Sequence, residues 1–220
     1  MDIENTFFQM FHLCSDPQRV YRIARMHESA KKHWARDDPA FTLILVYFLA
    51  VSSFAYAVAF NEESLWNLLR IIVSTILVDF LLIGLLVATA TWMISNILLR
   101  SSSAVSSDTT VEWLYAFDIH CNSFFPFFLI IYVVQYFFLP LFLSSSYPFF
   151  SALLANALYA AAFSVYFHHT FLGFNALRIV ENPAVFLYPI LPIVLLLLVS
   201  LLFNFNCSVW MINTNFAVLQ

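Results

Sequence analysis

Asp79, Asp118, His120, Asn122, His168 and His169 are polar groups able to do chemistry, and all lie within or beside long apolar runs. An Asp at the centre of a membrane helix costs about 2.5–3.5 kcal/mol, so Asp79 should face the bundle or a wet cavity. No Lys or Arg lies in the spans assigned below to neutralise it. His168, His169, Asn156 and Tyr159 are candidate partners on one run, with His120 and Asn122 at the mouth of another. Two roles stay open for this intramembrane set of Asp79, His120, Asn122 and His168: hydrogen-bonded glue between helices, or a proton-linked path. Asp118 and Asn122 are four apart and share a helical face, whereas Asp118 and His120 do not. The adjacent His168 and His169 diverge, so only one can point inward. A metal would need further ligands at a recognisable spacing, and none is present. Cys14, Cys121 and Cys207 are too scattered for a disulfide framework. No catalytic residue, metal or cofactor is expected, and the chain is not expected to be an enzyme.

The elements that must hold these groups follow from hydropathy. Hydrophobic residues are 62% of the 220 and charged ones 10%, with mean hydropathy +0.85, outside the range of soluble domains. No Asp, Glu, Lys or Arg occurs from Pro39 to Asn61, from Ile119 to Leu177, or from Asn182 to Gln220. A bilayer core about 30 Å thick takes roughly 20 helical residues. The chain therefore reads as all-α, a polytopic transmembrane bundle. Residues 39–220 form a five-span domain, with spans near 40–60, 71–92, 124–143, 149–172 and 185–205. Residues 1–38 form a separate N-terminal segment. Asp38 can N-cap the first span with Pro39 at N1, and that span should act as a signal anchor. Thr109-Thr-Val-Glu112 fits a capping box for a helix running toward Pro126. Ser101-Ser-Ser-Ala-Val-Ser-Ser107 reads as a flexible loop.

Charge sets the orientation. Arg19, Arg22, Arg25, Lys31, Lys32, Arg36, Arg100 and Arg178 fall on one side and only Arg70 on the other. Eight against one puts the N-terminus in the cytosol and the C-terminus in the lumen. Asp16-Pro17 opens a helix of about four turns in which Arg19, Arg22 and Arg25 recur every third residue. This amphipathic helix either lies along the anionic cytosolic leaflet, with membrane lipids as partner, or caps the bundle in solvent. Arg19, Tyr21, Arg22, Arg25, Trp34 and Arg36 from this segment, with Trp113, Tyr115 and Asp118 from the second cytosolic loop, mix charge with aromatics as interfaces do. They are the candidate docking surface for a soluble partner.

Ser15-Asp-Pro-Gln-Arg-Val-Tyr-Arg22 and His33-Trp-Ala-Arg-Asp-Asp-Pro-Ala-Phe41 resemble motifs of the uncoordinated-fifty family of Golgi membrane proteins. Trp92-Met-Ile-Ser-Asn96, Val111-Glu-Trp-Leu-Tyr-Ala-Phe-Asp-Ile-His120 and Thr170-Phe-Leu-Gly-Phe-Asn-Ala-Leu177 match in the same order over nearly the whole chain. The resemblance implies a five-span protein of Golgi and related membranes, the ER or inner nuclear membrane included, with a cytosolic N-terminus. It implies a part in trafficking assembled cell-surface receptors, notably nicotinic acetylcholine receptors, and a link to guanine-nucleotide exchange factors for Arf GTPases. RNA binding attributed to some members carries over least, because the long basic extension common before Gln-Arg-Val-Tyr-Arg is missing here. A trafficking or assembly factor is thus the leading expectation, and a small transporter or channel using Asp79 the alternative. Only two glycines and no internal repeat weigh against the latter.

Overall fold

The computed structural model describes residues 2–31, 34–36, 38–102, 104 and 109–216, and the side chains of residues 25–31 and 216 lie outside that description. Lys32, Asp37 and most of the Ser101–Ser107 stretch therefore fall outside it too. Two helices come first: α1, Ile3–Ser15, and α2, Pro17–Lys31. Asp2 caps α1, its carboxylate accepting the Asn5 N–H at 3.0 Å, a contact typically worth about 1 kcal/mol. Sequence reasoning places α2 but not α1, whose start carries no Pro and whose Phe-rich turns have no clean alternation with charge.

Five helices long and apolar enough to cross a membrane follow: Ala40–Ala59, Leu65–Ile97, Trp113–Phe137, Pro148–Asn175 and Pro183–Leu202. These are spans one to five. A last helix, Cys207–Phe216, follows span five. Among the described residues there is no strand, only an antiparallel bridge between Arg100 and Val180. Through it Ser101 N–H donates to Ile179 O and Glu181 N–H to Leu99 O. The loops after spans two and four therefore meet at one end of the bundle, as their parity in a five-span chain requires.

Three boundaries differ from expectation. Span two occupies the whole 33-residue run, about 50 Å at 1.5 Å per residue, which exceeds the membrane core and must tilt or project. Ser64 starts it early, its hydroxyl accepting the Asn67 N–H. Span three begins at Trp113 and passes through Pro126 without stopping, ending at Phe137 because Pro140 cannot continue the ladder. The capping box at Thr109–Glu112 does not form: Glu112 holds the cap position, but its carboxylate bonds elsewhere. At span one Pro39, rather than Asp38, takes the cap position. Asp38 still accepts the Ala40 N–H at 3.0 Å, and it also accepts the Asp2 N–H.

Span three is the hub. Of its most apolar stretch 61% is buried inside the protein, against 6% for span five, which packs chiefly on span four. Both glycines serve this hub. A Cβ at Gly84 in span two would stand 2.4 Å from His120 Nε2, and one at Gly173 in span four 2.7 Å from Ile119 Cγ1. Small residues let membrane helices approach closely where no hydrophobic drive separates protein from lipid.

Candidate functional site

The N-terminal segment is strapped to the hub by backbone as much as by side chains. Trp34 and Ala35 donate their N–H groups to the two carboxylate oxygens of Glu112, at 3.3 and 3.2 Å. The Arg36 N–H donates to Asp118 Oδ2 at 2.6 Å, and its Nη2 to Asn122 Oδ1 at 2.6 Å. The guanidinium also lies over the Phe41 ring, 4.4 Å from its centroid, a stacked arrangement lysine would not reproduce. Asp118 and Asn122 thus share a face as their spacing requires, and that face receives Arg36. The Trp34 ring sits 5.8 Å from Tyr115, whose hydroxyl donates to Gly173 O at 2.9 Å. Glu112 thus accepts two backbone amides and Asp118 one, charge-assisted bonds that satisfy both acids where the strap covers them.

This geometry divides the candidate docking residues. Tyr21 is buried against Leu172 of span four and Ala176 just past its end, and burial drives its phenol well above the ordinary range. Tyr115 is buried too. Tyr21 and Tyr115 therefore cannot meet a partner, because their helices turn them into the bundle. Arg36 and Asp118 are consumed by the strap, and Trp34 is half-buried beside it. Trp113 is 36% exposed but is held toward span two, its Nε1–H donating to Thr89 Oγ1 at 3.1 Å. Arg19 and Arg22 stay exposed on α2, with the Arg19 guanidinium 5.5 Å from the Phe8 ring centroid. The Arg25 side chain lies outside the described residues. Between α1, α2, the strap and span three lies a cavity of about 290 Å³, lined by Asn5, Gln9, Tyr21, Arg36 and Asp118 among others. Asp38 closes its edge, and the N–H groups of Asp2 and Ala40 hold its carboxyl below the usual carboxylate range.

The intramembrane polar groups take separate partners. Asp79 accepts the Tyr132 hydroxyl proton at 3.2 Å, so its partner lies on span three and is none of the residues considered from sequence. His120 shares a 2.7 Å hydrogen bond through Nδ1 with the Tyr166 hydroxyl of span four. Asn122 belongs to the strap. His168 is exposed; its neighbour His169 is the inward one, with Nδ1 on Val165 O and Nε2 on Leu13 O at 2.8 and 2.9 Å. Asp79, His120 and His168 therefore do not converge on one hydrated site. The cavity beside Tyr132, lined also by Thr75, Gln135 and Ser53, is about 30 Å³, room for a water or two. Among the described residues no group of three His, Cys, Asp or Glu could hold a metal.

A third polar layer, missed from sequence, locks the C-terminal helix to the far end of the bundle. Ser208 donates to Gln135 Oε1 at 3.1 Å, and the Cys207 N–H to Asn156 Oδ1 at 2.9 Å. Asn156 Nδ2 donates in turn to Phe205 O at 2.6 Å. The Asn206 side chain donates to Phe142 O at 2.8 Å and to Ser151 Oγ at 3.1 Å. The signal was legible in kind: Asn, Gln and Ser inside apolar runs must find one another.

Comparison with known proteins identifies the family. The UNC-50 family profile matches residues 1–216. A Dictyostelium discoideum protein described as an unc-50 homolog is 50% identical over 98% of this chain and 82% of its own. The human homolog is 37% identical over 94% of this chain and 78% of its own, and a Drosophila melanogaster homolog 33% over 97% and 76%. No solved structure matches the chain.

Proposed function

We propose, starting from the fact that this chain belongs to the UNC-50 family, that it is an integral membrane trafficking and assembly factor of the Golgi and early secretory pathway. It acts without catalysis, by holding a cytosolic docking helix at a fixed place on a five-span bundle. The reading extends to assisting surface expression of multisubunit receptors such as nicotinic acetylcholine receptors, with an Arf guanine-nucleotide exchange factor as the soluble partner. One observation carries the mechanism: the Trp34–Arg36 strap fixes the end of the segment by four hydrogen bonds to span three. Arg19 and Arg22, three apart and so on one face, are left exposed, whereas Arg36 is taken up by the strap. Exposed guanidiniums on a rigidly seated helix suit an acidic partner surface, because little further ordering entropy is lost on docking.

Reversing both charges, Arg19→Glu with Arg22→Glu, tests the reading. Membrane insertion and abundance should be unchanged, since neither side chain is in the strap. Co-purification of the exchange factor, and receptor delivery to the surface, should fall several-fold. Unchanged association and delivery in the double variant would refute docking through α2.

A further inference from the structure

We infer that α1 is an in-plane membrane helix, submerged in the leaflet on the N-terminal side, with the acyl chains of that leaflet covering its stripe of Ile3, Phe7, Phe11 and Cys14. Helical geometry separates three sides of α1. Thr6, Met10 and Leu13 are buried against the bundle. Asn5 and Gln9 turn toward the polar cavity beneath the strap. The remaining face is open and mostly apolar: Ile3 is 52% exposed, Phe7 50% and Phe11 68%, and Glu4, next to the Asp2 end, is its one charged residue. Such a row of exposed phenylalanines in water would be an unfavourable patch.

Depth identifies what covers it. The Phe7 ring lies 6.5 Å from the Phe48 ring, and Phe48 is eight residues, or about 12 Å, along span one from Ala40. At the other end of α1, Leu13 O is bonded to His169 Nε2. His169 is six residues, about 9 Å, inside the Asn175 end of span four. The Asp2 end of α1 is held at the mouth of span one, where Asp38 accepts its N–H, and from there the helix descends so that Phe7 and Leu13 sit below the level at which the spans terminate, not on top of the bundle. The stripe also runs on into the outward surface of span one, where Leu43 and Tyr47 are 51% and 64% exposed and the Tyr47 and Phe48 rings adjoin. A face continuous with the surface of a spanning helix and at its depth meets the same solvent, which is hydrocarbon. Interfacial helices bury their apolar side about 5–10 Å into the headgroup–acyl boundary, in keeping with these offsets. Arg19, whose guanidinium lies over Phe8 on the flank of this stripe, marks the polar edge.

Cysteine chemistry on the full chain in lipid nanodiscs tests this without reference to which side faces the cytosol. In a background carrying Cys14→Ser and Cys207→Ser, with Cys121 fully buried, single variants Glu4→Cys and Phe11→Cys are compared. A charged maleimide should modify Glu4→Cys quickly and Phe11→Cys several-fold more slowly, the difference vanishing in detergent. A bimane attached at Phe11→Cys in detergent, then returned to nanodiscs, should be quenched by lipids bearing a nitroxide on the acyl chain. Equal labelling of the two variants by the charged reagent would place the stripe in water and overturn the inference. Slow labelling without acyl-chain quenching would mean that protein covers it, which overturns the inference as well.

Discussion

The hydrogen bond from Tyr132 to Asp79 crosses from span three to span two where both helices are distorted. Asp79 lies in a π-helical stretch, Thr75–Leu82, and Tyr132 in another, Leu129–Val134. A π-turn inserts a residue, and each extra residue rotates the following face by about 100°. That is why sequence shows Asp79 needing a partner but not which one: regular 3.6-residue periodicity carried through either stretch aims the side chains wrongly. Span four, by contrast, is regular α-helix throughout, and its periodicity separates His168 from His169 without saying which of the two faces inward. The Asp79–Tyr132 pair makes a clear prediction. Asp79→Asn keeps an acceptor for Tyr132 and should leave thermal stability in detergent close to that of the parent. Asp79→Leu and Tyr132→Phe each orphan the other group and should cost about 1 kcal/mol. The double variant Asp79→Leu/Tyr132→Phe should be less destabilised than the sum of the singles, because an apolar pair has nothing left to satisfy. A denaturation midpoint unmoved in Asp79→Leu would rule out a structural role, and a normal, abundant Asp79→Asn protein that loses function would return proton-linked transport to consideration.

At the scale of elements, close approach to span three governs the packing. Five spans and their order were legible because uninterrupted apolar runs leave no alternative. The ends were not, since Ser64, Pro140 and the diverted Glu112 act through local caps and tertiary bonds that a hydropathy profile does not weigh. The scarcity of glycine was visible in the sequence, but its meaning depends on what each glycine faces. Gly84→Ala drives a methyl into His120, which cannot swing away because Tyr166 holds its Nδ1 and Phe80 stacks 5.5 Å from its ring. Overpacking of this kind costs about 1–3 kcal/mol. Gly173→Ala meets the branched Ile119 and should be of similar size. Thermal unfolding of both variants checks this, and His120→Ala or Ile119→Ala added to the respective glycine change should restore part of the loss. Failure of the second substitution to recover any stability would show that the clash is not the cause.

For the whole molecule, an odd number of spans puts the two ends on opposite sides, and the eight-to-one distribution of Lys and Arg predicts a cytosolic N-terminus. A tag before residue 1 should be digested by protease added to sealed microsomes, and one after Gln220 should survive until detergent is added. The reverse pattern would invert the orientation, and digestion of both tags would mean an even number of crossings. The same orientation gives Asn206-Cys-Ser208 access to the lumenal glycosylation machinery in principle, yet the fold withdraws it. Asn206 Nδ2, the atom a glycan would occupy, is bound to Phe142 O and Ser151 Oγ, and Ser208 is buried on Gln135. Wild-type protein made in microsomes should therefore show no endoglycosidase-sensitive mass shift. A tag carrying its own sequon well beyond Gln220 should be glycosylated in the same preparation. Modification of the tag alone establishes a lumenal C-terminus with a locked Asn206. Modification of Asn206 itself would show that the last helix undocks before the transferase has passed, contrary to the tight polar lock that spans three and four make with it.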